Sequence, residues 1–138
     1  MDDVALNKAA VIERCICRVR EEHAGDPRNL TDDITRQGSI ILNLQRACEA
    51  SIDLAMHLVR VDRLGIPQQS RDAFALLAQA GALPADLAQT LQTMVGFRSV
   101  AVHDDASLNL DIVGSIIARH LDDLLRFASI AAARGATR

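Results

Sequence analysis

The chain has 138 residues, 49% of them hydrophobic and 2% aromatic, with neither Trp nor Tyr. That content fills one aliphatic core, and the abundance of Ala and Leu favours helices over strands. A net charge of −3, from 15 basic and 18 acidic residues, argues against sequence-specific duplex-DNA binding, where phosphate contacts call for a basic excess.

The first helix is expected from about 2 to 23. Val4, Val11, Ile12, Cys15 and Val19 recur at helical spacing on one side of it, and Gly25-Asp26-Pro27 ends it. A second and longest helix opens after Thr31, a good N-cap, with Leu30 and Ile34 placed to staple its start, and runs to about Gly65. Two apolar sets on it, one from Ile41 to Val59 and one from Ile40 to Val61, make a stripe wide enough to pack on two sides. Gly65-Ile66-Pro67 breaks the pattern before a short helix at 69–80. Pro84 then suits the first turn of a fourth, whose stripe is Leu87, Leu91, Met94 and Val95. Asn109 or Asp111 can cap a last helix carrying Val113, Ile117, His120, Leu121, Leu124 and Ala128. The fold class is therefore all-α, a four- to five-helix up-and-down bundle with a long central helix. It occupies 1–132 as a single domain, and the small polar stretch 133–138 is a fraying tail.

No apolar run approaches ~20 residues and the start Met1-Asp2-Asp3 is acidic, which argues against membrane insertion and export and for a cytoplasmic protein. The odd count of three cysteines reads Cys15, Cys17 and Cys48 as buried or half-buried small residues, not a disulfide framework. No cluster of His, Asp and Glu is spaced to bind a metal tightly, and nothing calls for a cofactor.

One stretch carries chemistry. Gly96-Phe97-Arg98-Ser99-Val100-Ala101-Val102-His103-Asp104-Asp105 sets an arginine, four spacers and a histidine after the fourth apolar stripe. Arginine offers a planar cation for phosphate, and histidine moves protons near neutral pH. Five residues of undistorted α-helix leave the two side chains ~140° apart around the axis, so one straight helix does not aim both at one phosphate. Either the turn distorts or two copies pool their residues. The plainer reading is a pair of cations closing a helix C-terminus. On the long helix, Asp53 and His57 stand i,i+4 and are expected to bond one another, as a polar pair at a packing seam or in support of the site.

The run from Ile66 to Phe127 resembles the HepT-like branch of the HEPN superfamily. The resemblance rests on Ile66-Pro67, Asp72-Ala73-Phe74, Gly81, Phe97-Arg98 and Val102-His103, with Ser51-Ile52-Asp53-Leu54-Ala55 and His57-Leu58 upstream. It implies a homodimer of helical bundles with a metal-independent endoribonuclease site at the subunit interface, and in many members a toxin paired with a minimal nucleotidyltransferase antitoxin. Arg98 and His103 match the family's arginine and histidine, and Ser99 stands where the family often has Asn or Asp. Two departures follow. The family's His-x-Tyr tyrosine, which the partner adenylylates, is Asp105 here, and Asp104 and Asp105 set two negative charges beside a site for RNA phosphate. The alternative is a non-catalytic dimeric interaction or nucleotide-binding module on the same fold.

Overall fold

The computed structural model describes residues 1–94 and 106–137. Among these residues lie seven helices and no strand: α1 (Asp3–His23), α2 (Arg28–Thr31), α3 (Ile34–Val61), α4 (Asp72–Gln79), α5 (Ala85–Met94), α6 (Ala106–Arg119) and α7 (Leu121–Ala136). The all-α bundle with a long central helix is present, with α3 its longest element at 28 residues.

Side-chain contacts at the two ends fix the directions of the main frame. Arg36 near the start of α3 donates to the Glu22 carbonyl at the end of α1, at 2.9 Å. His57 near the end of α3 meets Asp2 at the start of α1. Those two helices are therefore antiparallel. Arg20 of α1 reaches Asp122 in the first turn of α7, and the Asp2 backbone N–H donates to the Gly135 carbonyl at 3.0 Å. So α7 also runs antiparallel to α1, and Arg134 on Asp62 at 2.6 Å ties the C-terminal ends of α7 and α3 together.

The wide stripe on α3 is used as its width implies. Ile40, Leu44, Ala47, Cys48, Leu54, Ala55 and Leu58 are buried, and α3 packs most extensively on α1 while also touching α2, α4 and α7. Phe74 of α4 and Phe127 of α7, both fully buried, meet edge to face with ring centres 5.5 Å apart, which seats α4 on the frame.

Several boundaries differ from the sequence reading. Thr31 ends a single helical turn, α2, and the N-cap of α3 is Asp33, whose carboxylate accepts from the Arg36 N–H at 3.1 Å. The Leu30–Ile34 staple is absent, since Leu30 is buried and Ile34 is 82% exposed. α3 ends at Val61, not Gly65, because Arg63 takes a left-handed φ of 54° and the Leu64 N–H turns back to the Val59 carbonyl. The short helix expected at 69–80 starts at Asp72, whose own carboxylate accepts from the Gln68 and Gln69 N–H groups and holds the chain ahead of it in a turn. The last helix begins at Ala106, ahead of Asn109, and is divided at His120. Instead of fraying at 133, α7 continues to Ala136, with Gly135 buried.

Candidate functional site

Arg98, Ser99, His103, Asp104 and Asp105 lie outside the described residues; in sequence they fall between α5 and α6. The described parts of those helices enclose a cavity of about 430 Å³, with Thr90, Thr93 and Met94 on α5, Asp111, Ile112, Ser115 and Ile116 on α6, and His120 at the break. The Thr90 and Thr93 hydroxyls each donate to the carbonyl one turn back, at 3.1 Å, so their oxygens keep only acceptor capacity. His120 places Nδ1 2.9 Å from the Asp123 carboxylate. A carboxylate only accepts, so the imidazole donates from Nδ1 and, in its neutral form, keeps Nε2 as an acceptor. The helix division makes this arrangement, because Asp122 and Asp123 sit in the first turn of α7, where acids favour a helix start. The sequence sets His120 in the apolar stripe of a single last helix; the Asp122-Asp123 pair is the signal for a new helix start.

Asp53 and His57 are not bonded to one another. Asp53 turns outward and meets Lys8 of α1 at 3.3 Å, both side chains well exposed. His57 instead points its Nε2 at both oxygens of Asp2, at 2.9 and 2.8 Å, with both side chains about nine-tenths buried. The i,i+4 spacing made the pair possible, but two partners on the neighbouring helix are nearer. Asp2 is held there by its second task as N-cap of α1, accepting from the Ala5 N–H at 3.1 Å. On the other side of the ring, Arg60 lies 3.3 Å from His57 Nδ1. A guanidinium only donates, so Nδ1 is the acceptor and Nε2 carries the hydrogen directed at Asp2.

The remaining reactive side chains are structural. Burial pushes the Cys48 thiol up to about 12, and burial also raises that of Cys15 against the opposing pull of Arg46 and Arg14. Cys17, expected at least half-buried, is exposed, with its thiol 3.5 Å from Glu21. Ser51 is buried and donates to the Ala47 carbonyl at 2.8 Å. Among the described residues no three His, Cys, Asp or Glu side chains gather to hold a metal ion, and no helix is long and apolar enough to cross a membrane.

A helical bundle with this arginine–histidine stretch falling in sequence between α5 and α6 defines a class, and comparison with known proteins agrees. The chain belongs to the HepT-like family, described as ribonuclease HepT-like, which it matches over residues 12–130. It is 48% identical over 130 residues to the mRNA nuclease HepT of Shewanella oneidensis, covering 94% of this chain and 97% of that one. Its fold superposes with a TM-score of 0.88 on a tri-AMPylated Shewanella oneidensis HEPN toxin solved in complex with its MNT antitoxin, at 48% identity over 96% of this chain and 99% of that chain. A toxin–antitoxin crystal structure with AMP-PNP matches equally well, again with a TM-score of 0.88 and 48% identity over 96% and 99% of the two chains.

Proposed function

We propose that this chain is a metal-independent endoribonuclease, acting as a homodimer and serving as the toxin of a pair whose antitoxin is a minimal nucleotidyltransferase. The observation that carries the reading is the presence of Arg98 and His103, at the spacing of the family motif, in a chain 48% identical to an mRNA nuclease over nearly its whole length. The relative solved with an MNT antitoxin supports the partner.

The chemistry needs few parts. A ribose 2′-hydroxyl attacks the adjacent phosphorus, the 5′-oxygen of the next nucleotide leaves, and a 2′,3′-cyclic phosphate remains. Arg98 binds the non-bridging oxygens and offsets the charge that grows on them. His103 accepts the 2′-hydroxyl proton or returns one to the leaving oxygen, and two copies of the chain supply one histidine for each transfer. On an undistorted helix two residues at this spacing would stand ~140° apart, which gives pooling between two copies a physical purpose.

The test is cleavage of RNA by the purified protein in EDTA, beside Arg98→Ala and His103→Ala variants. The expected result is cleavage by the parent and a loss of at least about a hundredfold in each variant, the scale of one charge-stabilising or proton-moving group. Parent and variants that are equally inert, with the dimer intact, would overturn the enzyme and leave a binding module on the same fold. The acid pair Asp104-Asp105 is the observation that favours that second reading.

A further inference from the structure

A second surface of the bundle combines an apolar floor with two arginines. At the end of the frame where α1 begins and α3 finishes, a groove of about 710 Å³ runs between the last two turns of α3 and the stretch that follows it. Its apolar wall includes Val4, Met56, Ile66 and Pro67, of which Ile66 is 86% exposed. Arg60 and Arg63 stand along it, with Asp53 the one acidic residue of its lining.

Four carboxylates at this end, Asp53 of the groove wall among them, have partners other than these arginines. Asp2 faces His57, Asp53 faces Lys8, Asp62 faces Arg134, and Asp72 accepts from two backbone N–H groups of its own turn. Arg60 touches only the His57 ring nitrogen, and among the described residues neither Arg60 nor Arg63 is paired with a carboxylate. A chain with net charge −3 thus sets two guanidinium groups at one groove with no carboxylate partner among the described residues. Arg63 also adopts φ 54° just past the end of α3, a position that glycine fills without strain. An arginine held there presents its side chain at the lip of the groove in spite of the backbone.

We propose that this groove binds the phosphodiester backbone of single-stranded RNA, with Arg60 and Arg63 on the phosphates and the apolar wall against ribose and base. The proposal rests on the endoribonuclease reading. Guanidinium forks match phosphate oxygens and stack on base planes, and an apolar floor accepts bases without selecting among them. Cations at a helix C-terminus also interact favourably with its dipole, so the test must separate that role from binding.

Arg63→Gly does so. It removes the guanidinium while suiting the left-handed backbone, so its Tm should equal or exceed the parent's. Binding is read by fluorescence anisotropy with a labelled 2′-O-methyl single-stranded oligoribonucleotide, which resists cleavage through its blocked 2′-oxygens. The Arg60→Gln/Arg63→Gly double variant should bind roughly tenfold more weakly, and the slope of log affinity against log salt should fall by about 1.4, at ~0.7 for each phosphate contact. Unchanged affinity and slope would overturn the proposal, including the case where the double variant loses its hold on the nucleotidyltransferase instead. A parent that binds with the groove-dependent slope yet cleaves no RNA supports the groove and sinks the nuclease. A parent that cleaves while the double variant binds as tightly as it does sinks the groove alone.

Discussion

At the scale of single residues, burial decides which of two similar-looking ion pairs matters. The Lys8–Asp53 pair is 40% and 59% exposed, so solvent and salt screen it, and Asp53→Ala should change stability by about 0–1 kcal/mol. Asp2 and His57 are 9% and 10% exposed, and Asp2 also caps α1. Asp2→Ala removes the cap, worth about 1 kcal/mol. It also leaves the buried imidazole N–H without an acceptor, at a further cost of about 1–3 kcal/mol. Urea denaturation should therefore show a loss of about 2–4 kcal/mol for Asp2→Ala. Asp2→Asn, which keeps an oxygen for both bonds, should lose less. An Asp2→Ala protein as stable as the parent would mean that this contact contributes nothing to holding α1 on α3. The sequence displayed Asp53 and His57 one helical turn apart, and that proximity was real. It could not display Asp2 arriving from a helix 55 positions away, because partner choice across a helix interface depends on register.

At the scale of elements, two glycines in helices should respond in opposite directions to the same substitution. Gly38 lies on the exposed side of α3 with no atom within 4 Å of an added Cβ. Gly38→Ala should stabilise by about 0.5–1 kcal/mol through helix propensity alone. Gly135 is buried where α7 crosses the start of α1, and an added Cβ would stand 2.9 Å from the Ala5 Cβ and 3.5 Å from the Asp2 Cβ. The Ala5 methyl cannot rotate away, so the overpacking cost of about 1–3 kcal/mol outweighs the propensity gain, and Gly135→Ala should lower stability. Thermal melts of the two variants test the sign directly; a rise for both would show that α1 and α7 can separate at no cost. The same close approach explains why the end of the chain was misread. Ala133, Gly135 and Ala136 look like a fraying tail in isolation, yet the missing side chain of Gly135 is what lets α7 lie against α1. Helix bodies were legible because apolar spacing is a local property. Helix ends were less so: Thr31 and Asp33 are both sound caps, and only the burial of Leu30 in its own short turn decides for Asp33.

At the scale of the whole molecule, the bundle preserves the family's fold while the sequence lacks the tyrosine that the family pattern leads one to expect. The Shewanella oneidensis relative was solved tri-AMPylated and with its antitoxin, whereas this chain has no tyrosine, and the family resemblance sets Asp105 against the tyrosine of the His-x-Tyr pattern. The chemistry of the substitution is decisive. A phenol oxygen attacking the α-phosphorus of ATP expels pyrophosphate and leaves a stable aryl phosphodiester. A carboxylate making the same attack leaves a mixed anhydride that water cleaves, so Asp105 is no durable substitute. Its negative charge, with that of Asp104, stands in sequence beside the residues proposed to bind RNA phosphate, where it would oppose that binding continuously instead of on modification. Incubating the protein with the proposed nucleotidyltransferase partner and ATP should accordingly leave the intact mass unchanged. Asp105→Tyr should restore an acceptor, giving an AMP adduct that maps to residue 105 and RNA cleavage that falls as the adduct accumulates. An adduct on the parent chain, at a serine or threonine, would show that adenylyl control had moved to another hydroxyl. An Asp105→Tyr protein that stays unmodified would place the loss of control in the fit between the two partners, not in the missing phenol.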